Sequence, residues 1–241
     1  MTIARNKSVL TSNKAQGTLT PPNISPYKSI SNIILLLEQK LVVFALENIN
    51  STLGEEDLNQ RLCIFLQTNH SQTLKQESQF IFVQAYKEEK SSRKVDIGVI
   101  ETRFRTQNKA FFTIECKRLP TPAPKCREKE YVYGEVGTKY EKLGGIDRFK
   151  REHHGGGLSH SAIVAYVEKY DFHYWFETIN SWINKLCKTN SDTSITWNEK
   201  DLLVKQYEKE ILGRYESENY RNRNNDDIKL THLWIKMYDN F

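Results

Sequence analysis

The stretch from Gln79 to Leu119 restricts the fold more than any other part of the chain, because three strand-length runs follow one another there with only short polar bends between them. In Gln79–Tyr86, Phe80 and Phe82 alternate with Ile81 and Val83, and Val95–Ile100 and Ala110–Cys116 are similarly rich in β-branched and aromatic residues. Lys87–Lys94 reads as a charged turn and Thr106–Lys109 as a polar bend, so the three runs predict an antiparallel meander. Pro120, Pro122 and Pro124 end the third run and force an extended crossing behind it.

Helices are expected on both sides of the meander. Ser31–Leu46 carries an apolar series with Glu38, Gln39 and Lys40 opposite, and a second helix, capped by Ser51 or Thr52, runs through Glu55, Leu58, Leu62, Phe65 and Leu66. Glu128–Phe149 has helical spacing that Gly144 and Gly145 interrupt, Ser161–Val167 reads as a buried strand, and Tyr174–Cys187 is helical. A helix over Glu199–Leu212 and a closing strand over Leu230–Met237 complete the expectation. The sequence thus predicts an α/β fold, a central mixed sheet flanked by helices. Its division is a flexible Ser/Thr/Asn/Pro-rich arm at 1–27, a main domain at 28–190 and a C-terminal extension at 191–241 packed on the core.

Chemistry concentrates in the meander. Asp96 lies in the apolar run Val95–Val99, and Glu115 follows Phe111–Ile114, so both acids sit inside apolar strands. Glu115 and Lys117, two apart on one strand, project to the same side, and a hairpin brings Asp96 within about 5 Å of their strand. Burying an unpaired carboxylate is costly, and such an acid usually has a metal or another charge as its partner. The plain alternative is a structural Asp96–Lys117 ion pair with Glu115 facing solvent. Two carboxylates and an ammonium at one sheet end suit phosphodiester cleavage: the acids hold a hard divalent cation, and the lysine holds the attacking water or meets the charge that grows on phosphorus.

The order Asp96, then Glu115-Cys116-Lys117 at a strand end, resembles the PD-(D/E)XK superfamily of restriction endonuclease-like nucleases. The resemblance covers about residues 50–170 and implies a restriction endonuclease-like core. It also implies Asp96 and Glu115 as ligands of Mg²⁺, or of Mn²⁺ in its place, with Lys117 as the catalytic lysine. Val95 stands where the family has proline. Many members place a glutamate on the helix before the meander; Glu55 fits that role better than Glu56, because it shares a face with Leu58. First-turn acids that stabilise the helix dipole are the bland reading of both. The segment Tyr140-x-x-x-Gly144-Gly-Ile-x-Arg148-Phe149 resembles a motif of restriction-like proteins in bacterial defence loci. The implied activity is that of a Mg²⁺-dependent endonuclease acting on DNA in antiphage defence. The other class of reading is a silent nuclease-fold subunit that binds nucleic acid or a defence-complex partner.

The net charge of +5 permits a polyanionic partner without demanding one. Lys139, Arg148, Lys150 and Arg151 are the candidate phosphate contacts, with a solvated basic face as their alternative. Cleavage of both strands would favour a homodimer. His153, His154 and His160 with Cys116 and Cys126 lack the regular short spacing of a zinc site, and the His-His-Gly-Gly-Gly stretch reads instead as a loop over the active site. No Gly-Lys-Ser/Thr follows the glycines, and no Gly-x-Ser-x-Gly occurs, which argues against ATP use and a serine nucleophile. Four widely spaced cysteines without a CxxC pair, no apolar leader and no uninterrupted apolar run near the roughly 20 residues of a span give a cytoplasmic, non-membrane expectation.

Overall fold

The computed structural model describes residues 26–70, 80–88, 94–101, 109–134 and 144–239. Most of the proposed arm, most of both bends of the meander and Lys139 lie outside them. Helix α1 spans Pro26–Glu47 and α2 Glu55–Asn69; strands β1 (Phe80–Lys87), β2 (Lys94–Glu101) and β3 (Phe112–Leu119) follow. After the proline crossing come α3 (Gly145–Lys150), β4 (His160–Val167), α4 (Phe172–Thr189), β5 (Val204–Glu208), β6 (Leu212–Arg221) and β7 (Asp226–Lys236). All seven strands form one sheet in the order β1-β2-β3-β4-β7-β6-β5. The meander is antiparallel as expected, β3-β4 and β4-β7 are parallel, and β7-β6 and β6-β5 are antiparallel, so the sheet is mixed.

Each face of the sheet is covered because adjacent strand residues point to opposite sides. Ile97, Val99, Ile114, Cys116, Val164 and Tyr166 pack with α1 and α2 on one face. On the other, Ile163, Ala165, Val167 and Trp234 pack with Ile146 and Phe149 of α3 and Trp175, Ile179 and Ile183 of α4. By parity Asp96, Glu115 and Lys117 belong to this second face. Within α1, Ser29–Glu47 is long and apolar enough to cross a membrane by length and composition, although Glu38 and Lys40 interrupt it, and 50% of its window is buried inside the fold. Among the described residues no other helix meets that test.

Three local expectations are corrected. Helix α2 starts later than Ser51 or Thr52: Gly54 is its N-cap, and Ser51 Oγ instead accepts from Leu53 N at 3.3 Å. Glu128–Val132 forms turns, and among the described residues of this stretch regular helix is found from Gly145 to Lys150. The Glu199–Leu212 helix is replaced by a 3-10 turn at Glu199–Asp201 and by β5, with β6 beginning at Leu212. Pairing with β6 overrides the helical propensity of this Lys/Glu-rich run, and the exposed charges along β5 suit a sheet edge. Residues 191–241, expected as an extension on the core, supply three strands, and one of them, β7, lies directly beside β4.

Candidate active site

The ladder joining β2 to β3 runs from Val99–Phe112 to Ile97–Ile114. Beyond it the Asp96 side chain takes over the acceptor role, Oδ2 receiving Cys116 N–H at 2.7 Å. That bond fixes the carboxylate at the strand end, next to the two side chains that flank Cys116. Glu115 is buried, 1% exposed, and its Oε1 receives Lys117 Nζ at 2.8 Å and Arg148 Nη1 at 2.6 Å. Its other oxygen, Oε2, lies 3.0 Å from His154 Nδ1 but in poor alignment for a hydrogen bond, and neither atom has another partner. Glu55, at the first position of α2, stands 3.7 Å from Lys117 Nζ. Of the two candidate helix acids, Glu55 is the one the fold brings to the lysine.

Electrostatics follow from this crowding. Burial raises the Asp96 pKa, the Glu115 charge raises it further, and Lys117 and the Cys116 N–H offset only part, leaving it pushed up to about 7. Glu115 is the opposite case: burial opposes its charge, but Lys117, His154 and Arg148 together hold it well below the usual carboxylate range. Burial also opposes the Lys117 charge, and Glu115 and Glu55 hold the ammonium above the ordinary lysine range. Lys117 is therefore a fixed cation near the Asp96 carboxylate, which forms no ion pair of its own among the described residues.

Arg148 reaches Glu115 because of the paired glycines. The N–H groups of Gly145, Ile146 and Asp147 donate to the carbonyls of Glu130, Tyr131 and Val132 at 2.8, 3.2 and 2.9 Å, which satisfies donors a helix start otherwise leaves open. This docking has no room for a Cβ. One on Gly144 would lie 2.1 Å from Tyr133 Cα, and one on Gly145 would lie 2.8 Å from Tyr131 O. The 130–133 segment is itself anchored, Tyr131 Oη bonding His232 Nδ1 at 2.7 Å and accepting from Trp234 Nε1 at 2.9 Å.

Other expected contacts turn inward. Lys150 has no open side for a phosphate: it is fully buried and donates to Asp201 at 2.5 Å, an ion pair whose disruption costs about 3–5 kcal/mol. Arg151 is committed to Asp147 and Asp192, 2.9 and 2.7 Å away. Arg148, expected at a phosphate, serves Glu115 instead and is 18% exposed. His154, read as part of a glycine-rich loop and of the discounted zinc set, is buried against Glu115; its neighbourhood to the acid depends on the turn after α3 and has no linear signal. The Cys116 thiol faces the opposite side of the sheet and burial drives its pKa well up, so it does not join the histidines.

Among the described residues no three of His, Cys, Asp and Glu gather into a ready metal cage. Two features nevertheless fit a hard cation of the kind held by one or two carboxylates and water: the buried Glu115 Oε2, with only the poorly aligned His154 Nδ1 beside it, and the Asp96 carboxyl, which Lys117 and the Cys116 N–H compensate only in part. Comparison of the chain with family models, curated proteins and solved structures finds no match.

Proposed function

We propose that the chain is a metal-dependent phosphodiesterase with a restriction endonuclease-like core of the PD-(D/E)XK kind, acting on nucleic acid and on DNA in the first place. The observation that carries the reading is the meeting at one sheet end of buried Glu115, Lys117 at 2.8 Å from it, and Asp96, fixed alongside by the Cys116 N–H. Asp96 and Glu115 would hold Mg²⁺ or Mn²⁺, with Glu55 beside them. Bound there, a divalent cation supplies Lewis-acid polarisation of the phosphate and an acidified water.

The chain's own residues divide the remaining work. Lys117, charged and anchored by Glu115, presents donors to the attacking water and to the charge that develops on phosphorus. Arg148 keeps Glu115 ionised and oriented. Glu55 is partly exposed and limits the directions open to the lysine. Antiphage defence is the setting we infer from the Gly144-Gly145 motif, through its likeness to defence-associated nucleases.

A silent, nucleic-acid-binding relative is favoured by one observation: Glu115 is already matched by two cations. The two readings separate when purified protein is incubated with supercoiled plasmid, linear duplex, single-stranded DNA and RNA in Mg²⁺, Mn²⁺ or EDTA. Our reading expects cleavage of at least one substrate in metal and none in EDTA. Binding without cleavage under every metal condition would favour the silent form.

A further inference from the structure

Thr113 lies two residues before Glu115 on β3, on the same side of the strand and about 7 Å away along it. It lines a cavity of about 310 Å³, together with Tyr86, Glu88, Lys109, Glu152 and Arg223, at the small end of the range for ligand sites. The wall is firmly built. Tyr86 crosses β2 at Gly98, where a Cβ would come within 2.4 Å of its ring, and its hydroxyl accepts from Ala110 N at 3.0 Å. Glu88 accepts from Gly155 N and Gly156 N at 2.6 and 3.1 Å, which ties the glycine loop to the end of β1. Gly157, at φ 78, has nothing within 4 Å of the position a Cβ would take, so the loop leaves that side open.

Glu152 is the unusual member. It holds φ at 56, a left-handed conformation that is unfavourable for a residue with a side chain and that concentrates at ligand sites. Its Oε2 accepts from Asn224 Nδ2 at 2.7 Å, while Oε1 is buried and has no partner. Glu152 lines the cavity, and its Oε1 has no hydrogen-bond donor among the described residues, which favours a ligand that brings one. Two glutamates in the lining disfavour a bare phosphate. An aromatic wall favours a flat ring, the volume suits one ring system and no base pair, and the exposed Arg223 suits a phosphate that flanks it.

We propose that this cavity takes up one unstacked nucleobase bearing an exocyclic amino group, one nucleotide from the phosphate at the Asp96–Glu115–Lys117 centre, with Glu152 accepting from the amine. The assignment rests on the nuclease reading for the identity of the polymer, and it adds a preference for the amino-bearing bases cytosine, adenine and guanine over thymine beside the cut.

The test uses the full chain and short fluorescent dC, dA and dT homopolymers, with binding read by anisotropy in EDTA and cleavage read separately in Mg²⁺. The expected result is dC and dA binding about tenfold tighter than dT, the scale expected when one acceptor is left unpaired. Glu152→Gly removes the carboxylate and suits the positive φ; it should reduce that ratio to about twofold or less at an unchanged melting temperature. Equal affinity of the wild type for all three polymers would overturn the assignment even if the variant failed to fold, as would a preference that survives in Glu152→Gly. Cleavage without base preference removes the cavity assignment alone. Base preference that depends on Glu152, without cleavage, keeps the cavity and removes the nuclease reading.

Discussion

At the residue scale the proposed chemistry depends on how charge is shared among Asp96, Glu115 and Lys117. Asp96, pushed up to about 7, binds its proton more tightly folded than unfolded. Its contribution to stability is therefore complete below pH 4 and is lost as pH rises through about 7. Asp96→Asn should raise the metal-free melting temperature relative to wild type at pH 8 and leave little difference at pH 4. Mg²⁺ should raise the melting temperature of wild type at pH 8 but not that of the variant, by scanning calorimetry. His232 acts in the opposite sense. Burial pushes it down to about 3, so stability is lost as pH falls below the ordinary histidine value, by about 2 kcal/mol at pH 5. Chemical denaturation of His232→Gln should show a shallower loss between pH 7 and 5 than wild type. The sequence made Asp96, Glu115, Lys117 and Glu55 legible because strand alternation and the start of a helix are local rules. It could not reveal that Arg148 and His154 close around Glu115, since that depends on a docked turn.

At the element scale the short helix α3 is the part most exposed to small changes. Its first three N–H donors are bonded to the 130–132 carbonyls, and Gly144 has no space for a methyl group. Gly145→Ala should cost about 1–3 kcal/mol in urea denaturation, the usual effect of overpacking. Displacement of Arg148 from Glu115 should lower activity more than a stability loss of that size explains. Periodicity exposed the break at the two glycines but not its purpose. Strand β6 was hidden for a related reason: its buried side includes Ser217, Asn219 and Arg221, whose partners are His232, Ser217 itself and Asp226. A strand whose inner face is polar reads as a loop until its partners are known.

At the scale of the molecule, β7 joins the two halves of the sheet. It pairs with β4 over eight positions, His160–Lys229 to Val167–Lys236, and its Leu233 and Trp234 enter the cores of the two faces. Ending the chain after Asn190 would expose the β4 edge and both cores. The truncated protein should lack a cooperative thermal transition by circular dichroism; a folded, two-state fragment would show that the last strands are dispensable. A chain whose final residues complete its centre cannot be divided by composition alone, because the polar stretches at 191–200 and 222–225 look like linkers but are the connection from α4 towards β5 and the turn between β6 and β7.

The central claim is that Lys117 serves the reaction at a metal-holding pair of acids. Its most direct test is the single-turnover cleavage rate of wild type and Lys117→Ala on the best substrate in saturating Mg²⁺, with folding checked by circular dichroism. The account predicts a fall of about 10²–10⁴ in the rate for a variant that remains folded, together with no cleavage by wild type in EDTA. Equal rates for the two folded proteins, or wild-type cleavage that persists in EDTA, would contradict it.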